Sequence, residues 1–136
     1  MMYHRLIQIE FNHCDPAGIV FYPRYFEMIN SVVENFFADV AEYGFAAMMD
    51  AREGVPTARL ETVFHLPTRL ADKLAFGLRI TKLGTSSIGF QIIARCGDQH
   101  RLTADLVLVY MTLGGKSQPW PEALRARLTR FMEAPD

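Results

Sequence analysis

From Pro23 onward the apolar residues of this chain recur at intervals of three and four. Phe26, Ile29, Val33, Phe36, Phe37 and Val40 share one side of a helical wheel, while Arg24, Glu27, Ser31, Glu34, Asn35 and Asp39 mostly fall elsewhere. The spacing predicts an amphipathic helix of about four to six turns. Pro23 suits its first turn, where a helix leaves N–H groups unpaired and a φ fixed near the helical value costs nothing. Gly44 is the expected stop. Three phenylalanines and several β-branched residues make the apolar face bulky, and such a face must be buried against something broad.

The rest of the chain supplies strands. Residues 4–11 alternate, with Leu6, Gln8 and Glu10 on one side and Ile7, Ile9 and Phe11 on the other. After the helix, strands are expected over 59–66, 73–83, 88–96 and 101–113. The connections Gly84-Thr85-Ser86 and Gly97-Asp98-Gln99 are short and rich in turn formers. They fit antiparallel hairpins, because a parallel crossover needs about a dozen residues or more. A meander is therefore expected, and after Pro119-Trp120-Pro121 a short surface helix over 122–133. The fold class is α+β, an antiparallel sheet wrapped around one long central helix, in a single domain spanning 1–136. A helix on one sheet leaves the other sheet face and the strand edges uncovered, so at least a homodimer is expected.

Composition closes off several functions. With 136 residues and a formal net charge of −1, the chain has no basic excess for nucleic acid. No apolar stretch reaches the ~18 residues of a membrane span, and the start of the chain carries no secretory pattern. Cys14 and Cys96 form no spacing motif, so a reduced, cytoplasmic setting is the default, with a disulfide left open.

The segment Asp15-Pro16-Ala17-Gly18-Ile19-Val20-Phe21-Tyr22-Pro23 carries the chemistry. It places a carboxylate on a turn just ahead of a helix N-terminus, whose N–H groups can polarise a carbonyl or hold an oxyanion. Gly18 lets the loop fold back toward those donors. Together they suit acyl transfer, with Asp15 attacking or activating water. The local alternative is an Asx-type turn begun by Asp15 ahead of proline.

That nine-residue segment, followed by Tyr25, resembles the active-site segment of the 4-hydroxybenzoyl-CoA thioesterase family. The resemblance implies a hot-dog fold, assembly as a homodimer or a homotetramer built as a dimer of dimers, and hydrolysis of an acyl-CoA with an aryl or short acyl group. It implies that Asp15 is the nucleophile or general base and that the Tyr22 N–H polarises the thioester carbonyl, with Gly18 and Pro23 shaping the site. No cofactor and no metal are implied. By analogy with the family, a partner subunit offers residues around Pro56–Leu60 to a cleft between subunits. Two departures concern the substrate. Asn30 stands where the family pattern has an acidic residue that reads the aromatic hydroxyl. The turn 84–87 lacks the basic residues that hold the CoA phosphates, leaving Lys82, Arg59, Arg69 and Arg101 as substitutes.

Other candidates carry less. His13-Cys14-Asp15 are consecutive, and neighbours in an extended segment point to alternate sides, which suits chelation poorly. Cys14 has no identifiable histidine partner, His65 lies in a strand pattern, and Ser86 and Ser87 are turn residues. Two other functions of this fold remain open at this level: an acyl-CoA hydratase or dehydratase, and a non-catalytic acyl-CoA-binding protein.

Overall fold

The helix that begins at Pro23 forms as α1, Pro23–Asp39, in a computed structural model that describes all residues 1–136. Before it come β1, Tyr3–Gln8, and a single 3-10 turn at Phe11–His13. After it come α2, Phe45–Asp50; β2, Glu53–Gly54; β3, Thr57–Phe64; β4, Lys73–Leu83; β5, Ser87–Cys96; β6, Gln99–Val109; β7, Met111–Thr112; and α3, Glu122–Glu133. Five strands form one antiparallel sheet in the order β1-β4-β5-β6-β3, and β2 pairs with β7 in a small separate ribbon.

Strand alternation aims one face of the sheet at α1. Leu74, Phe76, Leu78 and Ile80 of β4 are buried, as are Ile88, Phe90, Ile92 and Ala94 of β5 and Leu102, Ala104, Leu106 and Leu108 of β6. Against them α1 buries Tyr25, Met28, Ile29, Val32, Val33, Phe36 and Phe37. Phe36 is the hub. Its ring meets Phe37, Phe90 and Phe131 edge-on at centroid distances of 5.5, 5.2 and 5.2 Å. Such pairings add about 0.5–1.5 kcal/mol each beyond the area they bury.

The structure departs from the periodicity at definite places. α1 ends at Asp39, before Gly44, because Glu42 takes a left-handed φ of 54° and turns the chain. Gly44 instead precedes α2, a helix too short for a periodic signal to reveal. The buried face of α1 is wider than the expected stripe, and Phe26 and Val40 lie at its margins. β1 is shorter than expected, since Phe11 already belongs to the 3-10 turn.

β3 starts at Thr57 and does not form a hairpin with β4. It crosses to the far edge and pairs with β6, so the meander comprises β4, β5 and β6 only. The strand expected over 101–113 begins at Gln99 and breaks at Tyr110, after which β7 leaves the sheet for β2. α3 is more than a surface helix, because Leu124, Leu128 and Phe131 are buried and Phe131 reaches Phe36. Both cysteines are free thiols. No helix is long and apolar enough to cross a membrane.

Phe36 is fully buried beneath sheet and helices, so Phe36→Ala should remove about 3–5 kcal/mol of stability. Urea denaturation of the two proteins measures the difference directly.

Candidate active site

The segment between the 3-10 turn and α1 folds into a small hairpin. Phe21 N–H donates to the His13 carbonyl at 2.9 Å, Cys14 bridges Val20, and Asp15 N–H donates to the Ile19 carbonyl at 3.0 Å. The tip is the four-residue turn Asp15–Gly18, closed by Gly18 N–H donating to the Asp15 carbonyl at 2.9 Å. Gly18 has a φ of +80°, a conformation that strains any residue with a Cβ. Asp15 Oδ1 accepts the Ala17 N–H at 2.9 Å, so the Asx-turn geometry is present. Gly18 does fold the loop back, but the carboxylate binds this N–H and not one at the start of the helix. A carboxylate has about four lone-pair sites, so one bond leaves Asp15 able to accept or attack.

The other arm of the hairpin runs straight into α1. Tyr22 has helical angles, φ −52° and ψ −34°, and Pro23 follows without an N–H. Arg24 and Tyr25 donate to the Phe21 and Tyr22 carbonyls at 2.9 and 3.1 Å. The Tyr22 N–H has no acceptor in the chain, which leaves it as the free donor at the positive end of the helix. The Tyr22 ring packs edge-on against Phe21, Phe26 and Phe64.

A second loop holds the hairpin from behind. Val20 N–H donates to the Thr68 carbonyl at 2.8 Å and Ile19 bridges Arg69. That loop is held in turn by Asp72, whose Oδ2 accepts the Arg69 N–H at 3.0 Å and an Arg101 N–H at 2.9 Å. Arg101 is buried and also donates to the Pro67 carbonyl at 3.1 Å and to Gln99 at 2.8 Å. The Arg69 N–H, helped by the Arg101 guanidinium, holds the Asp72 carboxyl below its ordinary 3.8.

Further along α1, from Phe26 onward, an apolar trough of about 540 Å³ opens between α1, α2 and β3. Phe26, Ile29 and Val33 form one wall, Phe45, Met48 and Met49 another, and Leu60, Leu106 and Leu108 the floor. Asn30, Glu53 and Thr57 are the polar residues on its boundary.

The fold has counterparts elsewhere. Residues 9–128 match the model of the thioesterase-like superfamily. The chain belongs to that superfamily. Its fold is the hot-dog fold of solved acyl-CoA thioesterases. A 1,4-dihydroxy-2-naphthoyl-CoA thioesterase from Synechocystis superposes with a TM-score of 0.88 at 16% identity, covering 99% of this chain and 100% of the other. A gentisyl-coenzyme A thioesterase gives 0.83 at 22%, covering 92% and 99%. A Staphylococcus aureus protein, solved in complex with CoA, gives 0.91 at 12%, covering 98% and 85%. Curated protein sequences yield no significant match.

The residues singled out in this thioesterase-like chain fall into three groups. Asp15, Gly18, Tyr22 and Pro23 belong to the hairpin and the helix start. Asn30 lies two helical turns further along α1, exposed, on the trough. Arg59 and Lys82 sit together on the sheet face turned away from α1, in a depression shared with Glu61, Ser87 and Asp105. Arg59 pairs there with Glu61 at 3.3 Å. Arg101 is engaged by Asp72 and so is not a free cation. Pro56, Thr57 and Leu60 line the trough of their own chain.

His13 is held within the loop, its Nδ1 accepting the Glu10 N–H at 2.8 Å, and His65 packs on His100 and meets Thr103. The residues missed in the sequence are Phe45, Met48 and Met49, whose short helix α2 gave no periodic signal.

The depressed carboxyl of Asp72 sets a pH test. A group whose folded pKa lies below its unfolded value stabilises the fold when ionised, above the unfolded pKa, and loses that contribution as pH falls through the folded one. Wild type should therefore exceed Asp72→Asn in stability at pH 7, and the gap should close as pH falls below about 4. Urea denaturation across pH 2–7 follows the gap.

Proposed function

We propose that this chain hydrolyses acyl-CoA thioesters to the free acid and CoA. The observation that carries the reading is that one short clamped segment holds Asp15 at the tip of a hairpin and the unpartnered Tyr22 N–H where that hairpin enters α1. A thioester carbonyl oxygen that accepts the Tyr22 N–H is polarised, and the negative charge it gains in the tetrahedral state is met by the positive end of α1. The helix end therefore favours the transition state over the ground state, as catalysis requires.

Asp15 acts on the carbonyl carbon in one of two ways. Direct attack expels the CoA thiolate and leaves a mixed anhydride, which water then cleaves. Alternatively, Asp15 takes a proton from a water molecule that attacks the carbon itself. Either route consumes one water and yields one acid and one CoA thiol. The aromatic mouth of Tyr22, Phe26 and Phe64 suits an aryl or short acyl group, with Asn30 able to donate or accept a hydrogen bond. The naphthoyl-CoA and gentisyl-CoA activities of the two relatives support the aryl class. Arg59 and Lys82 are the proposed contacts for the CoA phosphates, reached from a neighbouring subunit.

The active unit is a homodimer or a dimer of dimers. β3 is an edge strand and leaves Leu60, Val63 and Phe64 exposed, an arrangement that soluble chains cover with a partner. Sedimentation should accordingly give at least twice the chain mass.

Asp15→Asn tests the chemistry. Release of CoA thiol should fall about 10²–10⁴-fold in kcat, while KM changes far less. Near-wild-type release across a panel of acyl-CoAs would remove Asp15 from the mechanism. Single turnover in ¹⁸O water followed by mass spectrometry of the protein tests for the anhydride route, since label enters the Asp15 carboxylate only when water cleaves an anhydride at the Asp15 carbonyl.

A further inference from the structure

One buried cation on β6 holds both ends of the loop on which the Asp15 hairpin rests. Arg101 is only 7% exposed. Its carbonyl accepts the His65 N–H at 2.8 Å and its Nη1 donates to the Pro67 carbonyl at 3.1 Å, which fixes the start of the loop 65–72. The same Nη1 donates to Asp72 Oδ2 at 2.9 Å, which fixes the end. Asp72 folds the stretch between. Its Oδ2 also accepts the Arg69 N–H, and its own N–H returns to the Arg69 carbonyl at 3.1 Å. Ala71 is thereby kept at a φ of +73°, a conformation that persists only where the surroundings over-determine it.

The other side of the loop carries the candidate site. Val20 N–H donates to the Thr68 carbonyl and Ile19 bridges Arg69. Ile9, just ahead of the 3-10 turn, joins the same loop: its carbonyl accepts the Ala71 N–H at 3.0 Å and its N–H donates to the Asp72 carbonyl at 2.8 Å. Thr68 and Ile9 are fully buried, so water does not compete for these bonds. The approach to the hairpin and its second arm therefore rest on one loop, and that loop rests on Arg101.

Stability alone does not call for a charge at this position. Replacing a buried ion pair with apolar side chains of similar size is often neutral or even stabilising. What the guanidinium adds is direction. Its planar fork reaches Asp72, the Pro67 carbonyl and Gln99 Oε1 at once, which a lysine ammonium on its flexible stem does not reproduce.

We propose that Arg101 is the positioning residue of the Asp15 site: through the loop 65–72 it fixes the Asp15 carboxylate relative to the Tyr22 N–H, and so sets the rate of turnover. The role rests on the acyl-CoA reading above, and Arg101 itself touches neither the substrate nor the reacting atoms. A displacement of about 1 Å can cost about 10²-fold in rate, so the loop need only loosen for turnover to suffer.

The test compares wild type with Arg101→Lys, Arg101→Met and the double variant Arg101→Met/Asp72→Asn, which leaves no unpaired buried charge. In the methionine variants kcat for benzoyl-CoA should fall at least about tenfold with KM within about threefold, and Arg101→Lys should lie between them and wild type. Amide hydrogen exchange gives a readout that needs no turnover. The Asp15, Gly18, Val20 and Phe21 N–H groups, all hydrogen-bonded, should exchange at least about tenfold faster in Arg101→Met, while the amides of β5 keep their wild-type rates. A purely structural role would speed exchange throughout and lower Tm with kcat of the folded protein unchanged, and that result overturns the proposal. Absence of hydrolysis by wild type ends the hydrolase reading and leaves the exchange pattern to decide whether Arg101 holds the site. Should both methionine variants prove unfolded on thermal melting, Arg101→Lys decides. A fall in kcat of at least about threefold with faster exchange at the four amides supports the assignment, and wild-type values of both overturn it.

Discussion

Everything in this molecule depends on covering the bulky side of α1. Phe36 and Phe37 have no room to remain half-wet, and the apolar rows of β4, β5 and β6 close over them until both are fully buried. One sheet layer can do this because its strands present buried side chains at every second position. The helix is thereby fixed in direction as well as in place, so its N-terminal end always emerges at the same point beside β3. α3 completes the cover from the other side through Phe131.

The geometry at that end of the helix is held by backbone bonds more than by side chains. The hairpin of 13–21 is tied through Val20 and Ile19 to the loop before β4, and that loop is tied through Asp72 to Arg101 on β6. Three separate stretches of chain thus constrain one carboxylate and one N–H. The Arg101–Asp72 pair is partly shielded from water and has backbone partners on both sides, which distinguishes it from surface pairs such as Arg24–Glu27. Surface pairs of that kind contribute about 0–1 kcal/mol.

Much of the fold could be read from spacing. The change from period two to period three-to-four at Pro23 located α1, and the short Gly-rich links located the β4-β5-β6 hairpins. Spacing carried less where geometry is set by distant residues. The placement of β3 beside β6 is a choice between sheet edges, and nothing local to 57–64 encodes it. α2 has six residues, less than two turns, so no period could show. For the site, the order Asp15, Gly18, Tyr22 revealed the turn and the helix end. That the carboxylate would settle on Ala17 N–H followed only from the turn as folded. Of the trough, only Asn30 and the stretch 56–60 were anticipated, through the family resemblance; the rest was not, because Met48, Gly54 and Leu106 meet only after the chain has closed.

The α2–β2 segment, residues 45–54, has a further consequence. It lies outside the five-stranded sheet and shares no residue with the hairpin that carries Asp15 or with the start of α1. The trough wall formed by Phe45, Met48 and Met49 and the backbone bonds of the 13–21 hairpin therefore belong to separate stretches of chain, so the shape of one can change while the bonds of the other stay in place.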